Sequence, residues 1–328
     1  MMLLCNRVCA LAVVSVIAAG TALSNPAQAQ SYPTKPVRFV IPYPPGGPSD
    51  ILGRMVAQYL TDAWSVQVIV DNRPGAGGNI GIEHCAKSPP DGYTLCLLSI
   101  GQTVTPALYP KLGFDPVKDF AHVSMLATLP SLLLVHPSLP VKTVKDLVGL
   151  AKARPGALNY ASAGNGSTSH VLMELLKLQT GTRIVHVPYK GTGPALIDGI
   201  AGQIEVAFHA IISVQSYVRS GHLRAIGVST RQRFPRMAEV PSLDEAGLKG
   251  FDGGSWQGAI MPARTPRDIV VKTNAELGKM LGSAETREKM LGMGAIVFAS
   301  SPEEFSAFVK TEVDKWAKVV KAAGIRAD

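Results

Sequence analysis

The sequence predicts an α/β fold in two lobes, each built on a mostly parallel sheet flanked by helices. Apolar segments of strand length alternate with segments of helix length along most of the chain, a pattern typical of parallel strands joined by helices. The apolar stretch 122–137 is broken at Pro130, which fits two strands in tandem with the passage between lobes at the break. The 328 residues suffice for two hydrophobic cores. We assign 30–128 and 229–328 to lobe 1 and 129–228 to lobe 2.

Residues 1–29 have the features of a secretory signal peptide. Arg7 gives a positive start, an apolar run with small residues extends from Val8 to Leu23, and Ala27-Gln28-Ala29 offers a cleavage site. The run is short for a membrane span, and the residues before Cys9 lack the small and aliphatic pattern of a lipoprotein site. We therefore expect an exported soluble protein that is cleaved after Ala29.

Composition limits the partners of the chain. The formal net charge is +8 at pH 7, but Lys and Arg are scattered singly and no aromatic-basic RNA motif occurs. This distribution favours small anions and argues against nucleic acid. The sequence has no C-x-x-C pair and no His/Cys cluster with metal-ligand spacing, so we expect no metal and no cofactor. Cys85 and Cys96 remain after the signal; a disulfide is one alternative, but its strict geometry favours two half-buried free thiols.

The segment 42–50, here called the first cradle, has the composition of an anion-binding turn. It follows an apolar strand and precedes a helix predicted for 51–60. Adjacent glycines allow a close backbone approach to a ligand, and the unpaired N–H groups of a first helical turn favour a carboxylate or phosphate. An ordinary strand-to-helix turn is the alternative. Its candidate ligand-binding residues are Tyr43, Gly46, Gly47, Ser49 and Asp50.

The glycine-rich segment 71–81 does not encode a dinucleotide site, because the G-x-G-x-x-G pattern would require glycine where Ile80 stands. We expect a flexible turn that faces the same crevice as the first cradle, in which Asn79 caps the next helix and is a candidate ligand-binding residue. In open α/β sheets, ligands bind at the carboxyl ends of parallel strands. The strand predicted for 93–98 therefore adds Ser99, Gln102 and Thr103 to the candidates.

The segment 162–170, here called the second cradle, repeats the order of strand, glycines, hydroxyl residues and helix. Its candidates are Ser162, Ala163, Gly166, Ser167, Thr168 and His170. A hydrolase using Ser167 and His170 is a competing reading, but the order of residues does not match the G-x-S-x-G elbow and no acid partner has an identifiable place. We therefore expect no catalytic residue.

A third glycine-bearing helix start follows at 188–194 and includes Tyr189, and the next strand ends at His209. Tyr189 and His209 are further candidate ligand-binding residues. The segment 254–258 is expected to face the same cleft. Tyr43, Tyr189 and Trp256 are candidates for a wall against an aromatic ring, with ordinary packing as the alternative. The last helix, predicted for 302–321, carries an apolar stripe that is expected to pack on the body of the protein.

Several long motifs in this order resemble the substrate-binding proteins of tripartite tricarboxylate transporters, the Bordetella uptake gene (Bug) family. The resemblance covers essentially the whole chain after the signal. The motifs that carry it are Pro44–Asp50, Asn72–Gly81, Pro90–Leu95, Ala161–Ser167 with His170, His186–Gly191, Glu239–Pro241 with Glu245–Gly247, and Trp316–Val320.

The resemblance implies a two-lobed periplasmic binding protein of type II that delivers a small carboxylate to a membrane permease. We expect the protein to be a monomer. It also implies that both cradles offer N–H groups and hydroxyls to carboxylate oxygens, and that Asp198 lies near the ligand. Tyr43-Pro44-Pro45 and His209 depart from the usual family pattern, and these departures leave the solute open between aromatic, aliphatic and amino acids. A sensory binding protein that presents its ligand to a receptor is the alternative function.

Overall fold

The computed structural model describes residues 32–109 and 111–324. The predicted signal peptide and its cleavage after Ala29 lie outside the described residues. The described residues from Lys35 onward belong to one compact unit, which contains two sheets. Within the described ranges, no helix combines the length and the apolar composition needed to cross a membrane.

Strands and helices follow one another along the chain in the alternation that the sequence predicts. The strands are β1 (Val37–Ile41), β2 (Val68–Asn72), β3 (Thr94–Ser99), β4 (Phe120–Leu129), β5 (Ser131–Val135), β6 (Asn159–Ser162), β7 (Val185–Pro188), β8 (Val206–Ala210), β9 (Arg224–Val228), β10 (Ser255–Pro262) and β11 (Ile296–Val297). The α-helices are α1 (Pro48–Trp64), α2 (Asn79–Ala86), α3 (Ile100–Leu108), α4 (Val144–Ala153), α5 (Thr168–Thr180), α6 (Thr192–Ile200), α7 (Ile211–Arg219), α8 (Arg267–Gly282), α9 (Ala284–Met293) and α10 (Pro302–Ala323).

Most strands of each sheet run in one direction, as the sequence predicts, and each sheet also contains antiparallel pairings. The strand orders are β11-β4-β10-β3-β1-β2 and β7-β6-β8-β5-β9. β1 is parallel to β2 and β3, and β6 is parallel to β7 and β8. β10 and β5 are antiparallel to both of their neighbours. Each of these two strands follows a passage from the other sheet, so no strand–helix–strand crossover forces it to be parallel.

The chain passes between the sheets at two places. β4 lies in the first sheet and β5 in the second, with Pro130 between them, as the sequence indicated. The return follows β9, and β10 then enters the centre of the first sheet between β3 and β4. The residue boundaries of the lobes stay a prediction.

The terminal helix α10 packs against the first sheet, as its apolar stripe predicts. Phe305, Val309 and Trp316 are fully buried in the cluster that covers one face of that sheet. Trp256 lies in the same cluster, and its indole N–H donates to Glu312 Oε2 at 3.0 Å, which also accepts the Trp316 N–H at 2.9 Å. The expectation that Trp256 lines a ligand cavity is therefore wrong. Its ring is held in the core by α10.

Cys85 and Cys96 form a disulfide, which corrects the expectation of two free thiols. Helix α2 packs on β3, and this brings the two Cα atoms to 6.4 Å, within the range that a disulfide requires. Both residues are fully buried. The pairing depends on how a helix lies across a strand, which the spacing of cysteines along the chain does not specify.

Candidate functional site

A cavity of about 120 Å³ lies between the two sheets. Residues from both sheets line it, and most belong to loops at the carboxyl ends of strands or to the first turns of helices. The lining residues are Tyr43, Pro44, Pro45, Gly47, Pro48, Ser49, Ser99, Ser131, Ala163, Ser167, Thr168, Ser169, Lys190, Gly191, Thr192, Gly193, Pro194, Phe208, His209, Ala210, Ser255 and Gln257.

Helices α1, α3, α5, α6 and α7 all begin at this cavity. Their N-cap residues, Gly47, Ser99, Ser167, Gly191 and Ala210, all line it. Each helix N-terminus carries backbone N–H groups without intrahelical partners and the positive end of the helix dipole. The convergence of these N-termini makes the cavity favourable for an anion.

The first cradle is shaped by Asp50 from behind the cavity wall. Asp50 Oδ2 accepts the Gly46 N–H at 2.9 Å and the Arg54 Nε–H at 2.9 Å, and its Oδ1 accepts from Asn72 at 3.0 Å. Burial alone would raise the pKa of Asp50, but the hydrogen bonds from Arg54, Gly46 and Asn72 outweigh it and lower that pKa. Gly46 has a φ of +80°, a conformation that favours glycine. Asp50 therefore fixes the turn and leaves Gly47 on the wall.

Tyr43 connects the first cradle to the start of α3. Its hydroxyl lies 2.9 Å from Ser99 Oγ and accepts from Gln102 Nε2 at 3.2 Å, and burial raises the pKa of this phenol. Gln102 Oε1 accepts the Ser99 N–H at 3.1 Å, while its amide also donates to the Gly77 carbonyl. Thr103 donates to the Ile100 carbonyl within α3. Tyr43 and Ser99 thus form the wall, and Gln102 supports it.

A polar pair on the same wall joins Ser49, a predicted site residue, to Gln257, which was not predicted individually. Gln257 Nε2 donates to Ser49 Oγ at 3.0 Å, and both residues are almost fully buried. Gln257 lies on β10 beside Ser255, which also lines the cavity. The segment 254–258 was expected to face the cleft. Because successive side chains of a strand point to opposite faces of the sheet, Ser255 and Gln257 lie on the face opposite to that of Trp256.

The second cradle is held by hydrogen bonds among its own residues. Ser167 Oγ caps α5 by accepting the His170 N–H at 3.4 Å and lies 3.1 Å from Ser169 Oγ. Ser169 in turn accepts the Ala163 N–H at 2.9 Å. The Gly166 N–H donates to His170 Nδ1 at 3.0 Å, so this ring nitrogen serves as a backbone acceptor.

A stack of three rings supports the second cradle from below. The centroids of the His170 and His186 rings are 4.2 Å apart and the two rings are nearly parallel. The Tyr160 ring also stacks on His186, with the centroids 4.8 Å apart. His186 Nε2 lies 2.6 Å from Ser162 Oγ, which accepts the Gly164 N–H. Ser162 and His170 therefore position the loop and do not line the cavity.

At the start of α6, Lys190 and Gly191 line the cavity, whereas Tyr189 and Asp198 do not. The Tyr189 hydroxyl donates to Asp198 Oδ2 at 2.6 Å. Burial, with the hydrogen bond and negative charge of Asp198, raises the pKa of Tyr189 to about 12. Both side chains are thus committed to each other beside the cavity.

His209 lies within β8 and lines the cavity with only 4% of its surface exposed. Its Nε2 is buried and has no hydrogen-bond partner among the described residues. Burial lowers the pKa of His209 to about 4, so the ring is neutral at pH 7. A neutral imidazole retains one donor and one acceptor for a ligand.

Asn79 was expected to cap α2, but the structure shows that it does not. It is the first helical residue, and Gly78, with a φ of +100°, occupies the N-cap position. The positive φ angles of Gly75, Gly77 and Gly78 carry the chain into the helix without a side-chain cap. The side-chain oxygen of Asn79 is buried with no partner among the described residues.

The structure thus divides the predicted residues into two groups. Those that line the cavity are Tyr43, Gly47, Ser49, Ser99, Ala163, Ser167, Thr168 and His209. Those that lie behind or beside its wall are Gly46, Asp50, Asn79, Gln102, Thr103, Ser162, Gly166, His170, Tyr189 and Asp198. Sequence reasoning missed Ser131, the first residue of β5, and Phe208 and Ala210 of β8, for which only a place in an apolar strand was available as a signal. Ligand contact by any of these residues stays a prediction.

Comparison with known proteins places this geometry in a family. The profile described as tripartite tricarboxylate transporter family receptor matches residues 52–325. Protein BugT of Bordetella pertussis is 34% identical over 318 residues, which cover 96% of this chain and 98% of BugT.

Solved structures agree with this match. A structure from R. palustris with adipate is 36% identical with a TM-score of 0.87, covering 90% of this chain and 100% of that one. The periplasmic binding protein BugD is 32% identical with a TM-score of 0.85, again over 90% of this chain and all of BugD. The fold is therefore the two-lobed fold of periplasmic binding proteins. With a family match over most of its length and relatives above 30% identity, this chain belongs to the tripartite tricarboxylate transporter receptors of the Bug family.

Proposed function

We propose that this protein is a periplasmic receptor that captures a small carboxylate in the cavity between its sheets and delivers it to the permease of a tripartite tricarboxylate transporter. The observation that carries the proposal is the convergence of the N-termini of α1, α3, α5, α6 and α7 on one cavity. A relative that shares 36% of its residues was solved with adipate, a carboxylate.

Capture requires that the ligand bind the closed arrangement of the lobes better than the open one. The first cradle belongs to the first sheet and the second cradle to the second, so an anion that contacts both favours closure. Backbones from the two sides approach closely beside the cavity: a Cβ added to Gly77 would lie 2.9 Å from the Asn165 carbonyl oxygen. Closure about the two passages between sheets is a hinge motion of a familiar kind.

We assign the ligand contacts to the predicted residues that line the cavity, together with Gln257, Ser255, Ser169 and Lys190. The lobes in this proposal are 30–128 with 229–328, and 129–228. The mature protein begins after cleavage at Ala29 and acts as a monomer. Asp50 and Gln102 act as positioning residues, because their hydrogen bonds hold Gly46 and Ser99 in place.

The protein is not an enzyme in this proposal. His170 Nδ1 accepts a backbone N–H, and Ser167 Oγ serves as the cap of α5, so neither atom is arranged as a base or nucleophile. Turnover of a carboxylate ester or amide by the purified protein would refute this part. A sensory role remains the alternative function, and a neighbouring gene for a sensor kinase in place of a permease would favour it.

The test is calorimetric titration of ligand-free protein with succinate, adipate and 3-phenylpropanoate. We expect at least one to bind. Ser167→Ala should then weaken that binding about tenfold, since a hydrogen bond to a charged group contributes about 1.5–3 kcal/mol. The matched control is Ser283→Ala, which removes the same type of cap, with the same 3.4 Å distance, from α9 away from the cavity.

Both variants should lose about 1 kcal/mol of stability through the lost cap. Only the change at Ser167 should alter affinity. Failure of all three acids to bind folded protein would contradict the carboxylate proposal. Equal affinities in wild type and Ser167→Ala would contradict the part assigned to the second cradle.

A further inference from the structure

We infer that Val171, which does not line the cavity, sets part of the ligand affinity, because its side chain forms an apolar contact between the two lobes that exists only when they are closed. The inference rests on the proposed capture of a carboxylate between the sheets, and it assigns a contact within the protein that favours the closed form. It comes from the way in which α5 divides its buried side chains between two apolar clusters.

Helix α5 packs on the second sheet, yet one of its side chains is buried with the first. Leu172, Met173 and Leu176 lie in the core of the second sheet. Val171 is fully buried in a different cluster, the one that α10 forms on the first sheet. Among the described members of that cluster, Val171 is the one that comes from a helix of the second sheet. Helix α10 itself packs against α5.

The loop before α5 lies against the same part of the protein. A Cβ added to Gly166 would lie 3.1 Å from Leu108 Cδ1, and Leu108 belongs to the first-sheet cluster. The Asn165 carbonyl oxygen would lie 2.9 Å from a Cβ on Gly77, which precedes α2. The N-terminal end of α5 therefore meets elements of the first sheet at several neighbouring points, and Val171 supplies the buried side chain among them.

This contact is coupled to the ligand site through one turn of helix. The Val171 N–H donates to the Ser167 carbonyl at 3.0 Å, and Ser167 lines the cavity. Residues four apart lie on the same side of a helix, so a ligand that draws the start of α5 toward the first cradle also presses Val171 into the α10 cluster. Opening of the lobes separates these surfaces and exposes Val171 to water.

A single valine suits a reversible contact. Its burial favours the closed form, but the gain is small beside the burial of three larger side chains that hold α5 on its own sheet. The lobes can therefore part while α5 stays folded. A receptor whose closed form is only partly populated binds its ligand less tightly by that fraction, so weakening the Val171 contact weakens binding.

The first test needs no ligand. Val171→Cys places a thiol at the contact, and the control Val144→Cys places one on α4 at a buried valine in the core of the second sheet. Cys85 and Cys96 are bonded to each other, so the introduced thiol is the reactive one in the chain without residues 1–29. We expect N-ethylmaleimide, followed by mass spectrometry, to label Val171→Cys about tenfold faster or more than Val144→Cys, because opening of the lobes exposes the first thiol without unfolding.

The second test measures affinity and stability. Val171→Ala and the control Val144→Ala each remove two methyl groups from a buried valine of a helix. With whichever of succinate, adipate and 3-phenylpropanoate binds the wild type, calorimetry should show about tenfold weaker binding for Val171→Ala and wild-type binding for Val144→Ala. In urea unfolding of the ligand-free protein the order reverses. Val144→Ala should lower the midpoint more, since Val171 already meets water in the open form.

The outcomes separate this inference from the proposed function. Equal labelling of the two thiols in folded, ligand-free protein would overturn the inference whether or not any acid binds. Equal affinities of Val171→Ala and wild type would also overturn it, while carboxylate binding would stand. Failure of all three acids to bind would defeat the proposed function and with it the effect on affinity, whereas the labelling rates decide separately whether the Val171 contact opens.

Discussion

The buried disulfide between Cys85 and Cys96 yields a prediction about stability. The two residues are 11 apart in sequence, so the bond closes a short loop that joins α2 to β3. In the chain-entropy model, a loop of about 12 residues stabilises the fold by about 3 kcal/mol through restriction of the unfolded chain. Reduction of the wild-type protein removes this term and leaves the packing of both sulfur atoms in place.

The assay is thermal unfolding of the oxidised and reduced wild type and of the double variant Cys85→Ala/Cys96→Ala. With an unfolding entropy of about 2.1 cal/mol/K per residue, the loss of about 3 kcal/mol corresponds to a decrease in Tm of about 5 °C. The double variant should unfold at a still lower temperature, because it also loses two fully buried sulfur atoms. The comparison separates the cross-link from the packing.

Two results would refute this reasoning. Thiol titration of the denatured, unreduced protein, after loss of residues 1–29, should detect no free cysteine, and two free thiols would mean that the bond is absent. Equal unfolding temperatures for oxidised and fully reduced protein would mean that the loop constraint contributes nothing to stability.

Other predictions concern the buried polar groups and the packing of the first sheet. Glu312→Ala leaves two buried indole N–H groups without their acceptor and should lower the free energy of unfolding, measured in urea, by about 2–6 kcal/mol. Glu312→Gln keeps a carbonyl acceptor and should lower it by less. Burial lowers the pKa of His122 from 6.5 to about 4, so the unfolded state binds more protons and stability should fall by about 3 kcal/mol between pH 6.5 and pH 4. His122→Gln should reduce this pH dependence, and an unchanged slope would contradict a neutral buried ring. Gly258→Ala would press a Cβ against the Phe305 ring and should destabilise the folded protein by about 1–3 kcal/mol, measured by urea unfolding. The control is Gly278→Ala, because a Cβ at that position faces open space.

The sequence predicted local structure well where hydrophobic pattern and turn residues agree. The terminal helix was expected over 302–321 and spans Pro302–Ala323 in the structure. The helix after the first cradle was expected from Ile51 but begins at Pro48, because proline suits the first helical turn and needs no N–H partner there. The strand β10 was missed, since polar Ser255 and Gln257 alternate with apolar residues while every position is buried.

For the site, the sequence located the turns but did not show which side chains reach the cavity. In the first cradle, Ser49 lines the cavity while the neighbouring Asp50 turns back to the Gly46 N–H and Arg54. In the second cradle, His170 stacks on His186 and leaves the wall to Ser167. The direction in which a side chain points from a helix or loop depends on partners that are distant in sequence. The local pattern of residues was therefore insufficient to predict which side chains line the cavity.

The sequence by itself determined the class of fold, the positions of the cradles and the family, because strand length, glycine turns and ordered motifs are local properties of the chain. Only the tertiary structure decided the mixed pairing of both sheets, the bond between Cys85 and Cys96, and the burial of Trp256 under α10. It also decided that the wall carries Lys190 and a neutral His209 but no described carboxylate. The physical reason is that pairing, burial and charge balance are set by contacts between segments far apart in the sequence.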